Sequence, residues 1–98
     1  MDVTYYVYIL SNTGGMLYTG VTGNLQHRIS QHKSGDGSRY TSRYEIHRLV
    51  YVEEFQYVED AITREKQIKG YRRGKKLKLI RDFNPTWRDL SEDWKQGE

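Results

Sequence analysis

Apolar and polar residues follow two different periods along the chain. Tyr5 to Ser11 is dense in β-branched and aromatic residues, and the same character returns from Met16 to Val21 after the polar sequence Asn-Thr-Gly-Gly. These two segments predict a β-hairpin. A third strand is predicted around Leu49 to Phe55, within the run RLVYVEEF.

The segment from Asn24 to about Ser34 has helical spacing. Asn24 or Thr22 can cap its start, because their side-chain oxygens accept backbone N–H groups, and Gly35 can end it. The residues that share one face of this predicted helix are Leu25, Arg28, Ile29 and His32. The polar residues that follow, SGDGSRYTSRYEIHR, predict a loop.

A second helix is predicted from about Tyr57 to Tyr71, and a shorter, basic one around Lys75 to Asp82 that presents Leu77 and Ile80. The longer helix has an amphipathic stripe formed by Val58, Ala61, Ile62, Glu65 and Ile68. The tail after the shorter, basic helix supplies three more apolar residues, which are Trp87, Leu90 and Trp94.

The element order β-β-α-β-α-α predicts an α/β protein of the α+β type, with a small sheet of antiparallel character flanked by helices. A chain of 98 residues supports one hydrophobic core, so we expect a single domain over residues 1–98. Residues 1–81 are its predicted core, and residues 82–98 are predicted to close over that core as a C-terminal clasp.

Composition narrows the classes of function. The absence of cysteine excludes disulfide bonds, thiolate metal sites and cysteine nucleophiles. No apolar run approaches the roughly 18 residues that span a bilayer, and the N-terminus lacks the basic and apolar regions of a signal peptide. We therefore expect a cytoplasmic protein without membrane association.

The net charge of +3 is unevenly distributed. Residues 69–81 carry seven lysines and arginines and no acidic residue, whereas residues 82–98 are acidic. Such a concentration of positive charge attracts phosphate backbones. A solvated helix face that only aids solubility is an equally good interpretation of the charge alone.

Three side chains are in positions that are costly for folding. Glu65 places a carboxylate within the apolar stripe of its helix, where it must be paired, hydrogen-bonded, on a metal or at the edge of the stripe. Arg28 and His32 lie one helical turn apart on the apolar face of theirs. These residues form a site, or each bonds a nearby backbone group.

The hairpin adds two tyrosines to this set. Tyr8 and Tyr18 lie on the same face of the sheet if the turn has three residues, because directly opposed residues share a face. The turn would then be Asn12-Thr13-Gly14 or Thr13-Gly14-Gly15, with the last glycine left-handed. Aromatic pairs on a sheet also occur simply as packing.

Together these motifs resemble the GIY-YIG nuclease superfamily, and in particular its small stand-alone, single-domain bacterial group. The matching elements, in order, are Tyr6-Val7-Tyr8, Tyr18-Thr19-Gly20, Asn24-Leu25, Arg28-xxx-His32 and a helical Glu65. The first motif lacks its glycine, and the chain reads Pro85-Thr86-Trp87-Arg88 where the excision-repair relatives have Pro-x-Tyr-Asn, so that an asparagine occurs only at Asn84.

The resemblance implies a three-stranded antiparallel sheet and metal-dependent hydrolysis of DNA phosphodiesters. The implied catalytic residues are Tyr8, Tyr18, Arg28, His32 and Glu65. Glu65 is the implied ligand of a single Mg²⁺ or Mn²⁺ ion, and no organic cofactor is expected. The favoured roles are base for Tyr8, its proton partner for His32 and orientation of water or phosphate for Tyr18, although exchanging the two tyrosines is nearly as good.

DNA is the expected partner. Tyr40, Tyr44 and Tyr71 lie near the predicted cations in sequence and could stack on bases of branched or single-stranded DNA, although core packing or simple surface placement is the better explanation of these residues. The residues predicted to contact its phosphates are Arg39, Arg43, Lys66, Lys69, Arg72, Arg73, Lys75, Lys76 and Lys78. Nothing resembles a base-reading element, so we expect low sequence specificity in DNA repair or processing. The alternative is a non-catalytic nucleic-acid-binding module that keeps the fold.

Overall fold

The computed structural model describes residues 3–95 and has a three-stranded antiparallel sheet at its centre. The strands are β1 (Tyr5–Ser11), β2 (Leu17–Thr22) and β3 (Arg48–Phe55), in the order β2-β1-β3. Both strand pairs are antiparallel, and a β-bulge interrupts the pairing of β1 with β3 between Ile9 and Leu10. The predicted hairpin, third strand and α+β class are confirmed.

In the part of the chain that the structure describes, four α-helices and a short 3₁₀ helix surround the sheet. The helices are α1 (Leu25–Ser34), α2 (Arg39–Arg43), α3 (Val58–Lys69) and α4 (Arg73–Phe83), followed by the 3₁₀ helix Leu90–Lys95. Within residues 3–95, no helix is long and apolar enough to cross a membrane.

Helix α1 has the predicted ends. The Asn24 side chain accepts from the backbone N–H of His27, and Gly35 ends the helix in a left-handed conformation with φ 88°. Helix α2 lies where a loop was predicted, so that prediction was wrong. The Ser38 hydroxyl accepts from the Thr41 N–H and caps this single turn, a local signal that the surrounding polar residues obscured.

The β1–β2 turn fixes the faces of the two tyrosines. Asn12 pairs with Met16 through backbone and side chain, so that the turn residues are Thr13, Gly14 and Gly15. Gly15 is left-handed, with φ 85°. This is the second of the two predicted three-residue turns, and Tyr8 and Tyr18 therefore lie on the same face of the sheet.

Each face of the sheet has its own apolar cluster. Residues of α3 and α4, such as Ala61, Ile68 and Ile80, pack against Val7 and Ile9 on one face. Leu25 and Ile29 of α1 pack against Tyr8, Leu10 and Leu49 on the other. The predicted clasp is divided between the two, because Trp87 packs on the first cluster, and Leu90 and Trp94 pack on the second.

The apolar stripe predicted for α3 is narrower than expected. Ala61 and Ile68 are fully buried, whereas Ile62 is 38% exposed. Only the line through Ala61 and Ile68 faces the sheet, and Arg64 and Glu65 occupy the helical turn between them. This placement leaves two charged side chains half-buried beside the sheet.

Candidate active site

The side chain of Tyr8 extends from the central strand β1 and packs over the edge strand β2. Tyr8 is paired with Gly20 of β2, and a Cβ atom at position 20 would collide with the Tyr8 hydroxyl and the ring carbon that bears it. Only glycine leaves room for the ring, which explains the last residue of the Tyr-Thr-Gly motif. Tyr8 is 1% exposed, so its phenol is enclosed by its neighbours.

The rings of Tyr8, Tyr18 and His32 form a compact cluster. Ring centroids are 5.8 Å apart for Tyr8 and His32, 5.2 Å for Tyr18 and His32, and 6.4 Å for the two tyrosines. Tyr18 is half-buried and is the more accessible phenol. The hairpin supplies both tyrosines and α1 supplies the histidine.

A chain of hydrogen bonds runs from Tyr8 into α2. The Tyr8 hydroxyl lies 3.0 Å from His32 Nε2, and His32 Nδ1 lies 3.0 Å from Thr41 Oγ1. Thr41 Oγ1 lies 2.9 Å from Ser38 Oγ. Both ring nitrogens of His32 therefore have a hydrogen-bond partner, as the nitrogens of an almost completely buried residue require.

Arg28 lies one helical turn before His32, on the same face of α1. Its guanidinium donates to Gln31 Oε1 and to the Gly37 carbonyl oxygen, at 3.0 Å each. Burial lowers the pKa of Arg28, but the neighbouring Tyr8 and Tyr18 phenols outweigh burial and raise it. A planar cation held beside two phenols can bind a phosphate through paired hydrogen bonds.

The buried cluster has strongly shifted pKa values. Burial raises the pKa of Tyr8 to about 12, and the nearby Tyr18 and Glu65 add to this effect whereas Arg28 opposes it. Burial and the Arg28 charge lower the pKa of His32 to about 4. A neutral phenol beside a neutral imidazole is therefore the resting state at neutral pH.

Glu65 approaches the cluster from the other side of the sheet. Helix α3 packs on the face opposite α1 and contacts both β1 and β2, and the Glu65 charge is close enough to raise the pKa of Tyr8. Its side chain is 14% exposed, and its carboxylate pairs with Lys69 Nζ at 3.0 Å. The carboxylate is thus half-buried and paired, as its position in the stripe required.

The donor set of the site fits a metal ion that is held mainly by water and substrate. Residues 3–95 contain no group of three or more His, Cys, Asp or Glu side chains that could bind a metal ion. Among residues 3–95, Glu65 is the carboxylate whose charge acts on the Tyr8 phenol. Mg²⁺ commonly keeps several waters and binds through one or two carboxylates plus substrate phosphates, so a single carboxylate is compatible with it.

The predicted DNA-contacting cations fall into two groups. Arg39 and Arg43 are exposed on α2, beside the His32–Thr41 contact. The others lie on α3 and α4, where Arg73 donates to the Gly15 carbonyl oxygen at 2.7 Å and so connects α4 to the β1–β2 turn. The remaining residues of this second group are Lys66, Lys69, Arg72, Lys75, Lys76 and Lys78.

Several cations of the second group have intramolecular partners. Lys69 pairs with Glu65, and Lys78 pairs with Asp82 at 2.8 Å. Lys75 lies 4.1 Å from the centre of the Tyr71 ring, in a cation–π contact. The Lys78–Asp82 pair is on the surface and is worth little, so it leaves that cation available to a polyanion.

Sequence reasoning missed the residues that hold His32 and Arg28 in place. Thr41 and Ser38 extend the hydrogen-bond chain, and Gly37 packs so closely on the imidazole that a Cβ there would overlap it. The capping pattern Ser-x-x-Thr was a usable signal for α2, but no local pattern indicates that Thr41 meets His32.

Asn84, the nearest asparagine to the motif missing from the tail, has a structural role. Its side-chain amide donates to the carbonyl oxygens of Val50 and Arg88, at 3.2 and 2.9 Å. Asn84 is 4% exposed and ends α4. These two hydrogen bonds connect the tail to β3, and neither of them involves Tyr8, Tyr18 or His32.

Comparison with known proteins places these features in a family. Residues 4–78 match the GIY-YIG catalytic domain. The chain is 42% identical over 80 residues to a UPF0213 protein of Oceanobacillus iheyensis, covering 82% of this chain and 93% of the relative. It is 39% identical over 82 residues to a UPF0213 protein of Natronomonas pharaonis, covering 84% of this chain and 96% of the relative.

A solved structure agrees with the fold. The solution NMR structure of a UPF0213 protein from Bacillus halodurans is 39% identical in sequence and has a TM-score of 0.52, covering 79% of this chain and 82% of that one. The motif order, the three-stranded sheet and the extent of the domain match agree with one another. The chain therefore belongs to the GIY-YIG catalytic domain family.

Proposed function

We propose that this protein is a divalent-metal-dependent DNA endonuclease that hydrolyses phosphodiester bonds with low sequence specificity, in DNA repair or processing. The observation that carries the proposal is the cluster of Tyr8, Tyr18, Arg28 and His32 at the β2 edge, with Glu65 approaching the same edge from α3. A binding module has no use for a half-buried carboxylate beside phosphate-binding groups, because that carboxylate would repel phosphate.

Each residue of the cluster has a role in the proposed hydrolysis. Arg28 binds the phosphate oxygens and opposes the charge that develops on them. Tyr8 accepts a proton from the attacking water while its own proton passes to His32, and Tyr18, the more exposed phenol, orients the water or the phosphate. Glu65 would hold a Mg²⁺ or Mn²⁺ ion, which supplies charge stabilisation for the departing 3′ oxygen.

The resting protonation states explain why the proton must move in a concerted way. Tyr8 has a pKa of about 12 and His32 has one of about 4. Direct transfer of a proton from the phenol to the imidazole is therefore strongly uphill. A standing phenolate is excluded in the free protein, and Tyr8 acts as a base only when it gains one proton as it loses another.

The distribution of cations supports a nucleic-acid substrate. Helix α2 lies against α1 on one face of the sheet, α3 and α4 lie on the other, and the edge strand β2 lies between them. The two cationic groups thus flank the phenol cluster and can bind the phosphates on either side of the cleaved bond.

Branched or single-stranded DNA is the proposed form of the substrate. Tyr40 and Tyr44 are 44% and 40% exposed, and their ring centroids are 5.3 Å apart in an edge-to-face arrangement. The Arg43 guanidinium lies over the Tyr44 ring, 5.5 Å from its centre. Exposed aromatic rings next to cations can stack on unpaired bases.

A cleavage assay tests the proposed function. Purified protein is incubated with Mg²⁺ or Mn²⁺, or with EDTA, and with duplex, single-stranded, flap and nicked DNA. Wild-type protein is expected to cleave only with metal, and Arg28→Ala and Glu65→Gln are expected to lose about 100-fold or more of the rate. Glu59→Gln, on an exposed position of the same helix, is the matched control and is expected to keep full activity.

Two outcomes contradict the proposal. Cleavage that survives Glu65→Gln and Arg28→Ala unchanged would come from a contaminant and remove support for the site. DNA binding without cleavage, unaffected by Glu65→Gln but lost when Arg72, Arg73, Lys75 and Lys76 are neutralised, would establish the non-catalytic binding module instead.

A further inference from the structure

The proposed base, Tyr8, is almost completely buried, and an imidazole nitrogen is in position to take its hydroxyl proton. Tyr8 and His32 are each 1% exposed, and the atom positioned to accept the Tyr8 hydroxyl hydrogen is His32 Nε2, at 3.0 Å. The adjacent Arg28 carries only donors and cannot accept it. A proton that leaves Tyr8 therefore passes through the imidazole.

Two hydroxyl groups continue the path beyond the imidazole. His32 Nδ1 lies 3.0 Å from Thr41 Oγ1, which lies 2.9 Å from Ser38 Oγ. Thr41 is buried, whereas Ser38 is half-buried and borders a surface groove of about 600 Å³ that Gly35, Asp36 and Arg39 also line. The chain thus leads from the sheet edge to solvent.

The distances of this chain allow donation to run in one consistent direction. With the Tyr8 hydroxyl donating to Nε2, neutral His32 carries its hydrogen on Nδ1 and donates it to Thr41 Oγ1. Thr41 then donates to the hydroxyl or the carbonyl oxygen of Ser38. Each donor points from Tyr8 towards the surface.

Resting on the proposed nuclease function, we infer that Thr41 and Ser38 are positioning residues that complete a proton path from Tyr8 through His32 to solvent. As the water oxygen bonds to phosphorus and the bond to the 3′ oxygen breaks, Tyr8 takes a proton from that water. The Tyr8 hydroxyl proton moves to Nε2, the Nδ1 proton to Thr41, the Thr41 proton to Ser38 and the Ser38 proton to solvent. The 3′ oxygen takes a proton from solvent, so the protons balance.

This path keeps the imidazole neutral throughout. His32 loses a proton at Nδ1 as it gains one at Nε2, and so it only exchanges tautomers. A buried imidazolium next to Arg28 would be costly, since burial and that charge lower the pKa of His32 to about 4. The hydroxyl of Thr41 is what makes the neutral route available.

The first test reads the tautomer of His32 and does not depend on activity. In ¹⁵N-detected NMR of the full chain at neutral pH, wild-type protein is expected to carry the hydrogen on Nδ1. Thr41→Val, which keeps the shape of the side chain but removes its hydroxyl, is expected to shift the tautomer population towards Nε2–H. An Nε2–H tautomer in the wild type would overturn the proposal.

The second test measures cleavage under the conditions of the assay above. Thr41→Val is expected to lose about 100-fold of the rate, whereas Thr41→Ser, which keeps the hydroxyl, is expected to stay close to the wild-type rate. Ser42→Ala, which removes an exposed hydroxyl from the same helix, is the matched control and is expected to have no effect. Circular dichroism verifies that each variant is folded.

The outcomes separate this proposal from the proposed function. An active wild type beside an equally active Thr41→Val overturns the proton path alone. A wild type that cleaves no DNA overturns the nuclease function and the catalytic use of the path with it. If Thr41→Val does not fold, the Thr41→Ser rate and the wild-type tautomer decide, since a slow Thr41→Ser or an Nε2–H tautomer counts against the path.

Discussion

A Cβ atom at position 20 would overlap the Tyr8 hydroxyl, and one at position 37 would overlap the His32 ring. Both glycines therefore act by leaving volume for an aromatic side chain of the site. The Tyr-Thr-Gly motif could be recognised in the sequence, but the partner of Gly20 follows only from the strand register. Gly37 carried no signal at all, because its contact with His32 depends on how α2 folds back over α1.

Gly20→Ala is expected to displace the Tyr8 ring and to lower the free energy of unfolding by about 1–3 kcal/mol. DNA cleavage should fall with it, because Tyr8 would leave its contact with His32. Urea denaturation and the cleavage assay measure the two effects. Gly74→Ala is the control, since no atom lies within 4 Å of the added Cβ, and it is expected to be neutral or to stabilise by up to about 1 kcal/mol. Equal stability of Gly20→Ala and wild type would contradict the packing described for Tyr8.

His32 should make the protein less stable as the pH falls. Its folded pKa of about 4 lies below the usual 6.5, so between these values the unfolded chain takes up a proton that the folded protein does not. Stability is therefore expected to decrease from pH 6.5 to pH 4, by roughly 3 kcal/mol in total, and to show no further contribution from this group below pH 4.

Urea denaturation of wild type and His32→Gln across this pH range isolates the effect. The variant should lack the decrease that wild type shows, after subtraction of the titrations common to both. His27→Gln, at an exposed position of α1, should retain the wild-type decrease. Parallel pH profiles for wild type and His32→Gln would show that the imidazole is not held neutral by burial.

At the scale of single elements, the β1–β2 turn decides whether the two tyrosines meet. The side-chain period of a strand is two residues, so a turn one residue longer or shorter would move Tyr18 to the other face. The sequence left the length of the turn open and offered two turns of three residues. The chosen one places Gly15, not Gly14, at the left-handed position, where the Asn12 side chain accepts from the Met16 N–H.

Gly15→Ala is expected to destabilise the protein by about 1–2 kcal/mol, because its φ of 85° is unfavourable for an L-residue. Gly14→Ala should cost less than half as much, since its added Cβ comes no closer than 3.5 Å to any atom and its φ is not left-handed. Thermal or urea unfolding of the two variants compares them directly. A larger loss for Gly14→Ala would indicate the other turn.

On the scale of the whole molecule, the tail holds the two faces of the sheet together. It leaves α4 at Asn84, packs Trp87 on one apolar cluster and then crosses to place Leu90 and Trp94 on the other. Asp89 fixes the crossing, because it pairs with Lys33 Nζ at 2.6 Å and accepts from the Leu49 backbone N–H. Periodicity identified the apolar residues of this clasp but could not assign them to different faces.

Asn84→Ala should loosen this tail. The buried carbonyl oxygen of Val50 and the partly buried one of Arg88 would lose their donor, which costs about 1–3 kcal/mol. Urea denaturation gives the total loss, and hydrogen exchange is expected to rise in the tail. Asp82→Ala, which removes an exposed ion pair from α4, is expected to change stability by less than about 1 kcal/mol. Unchanged exchange in Asn84→Ala would show that the tail does not depend on this amide.

The strands, the ends of α1 and the helical spacing of Arg28 and His32 could be predicted from the sequence, because periodicity and turn chemistry act over a few residues. The shared face of Tyr8 and Tyr18 was predicted only for a three-residue turn, and the structure has such a turn. The meeting of Thr41 with His32, and the approach of the Glu65 charge to Tyr8 from the helix on the opposite face of the sheet, could be found only in the folded structure. Those contacts join elements that are distant along the chain, and their formation depends on how α2 and α3 pack against α1 and the edge strand β2. Packing of this kind is set by the summed burial of many side chains and leaves no local pattern in the sequence.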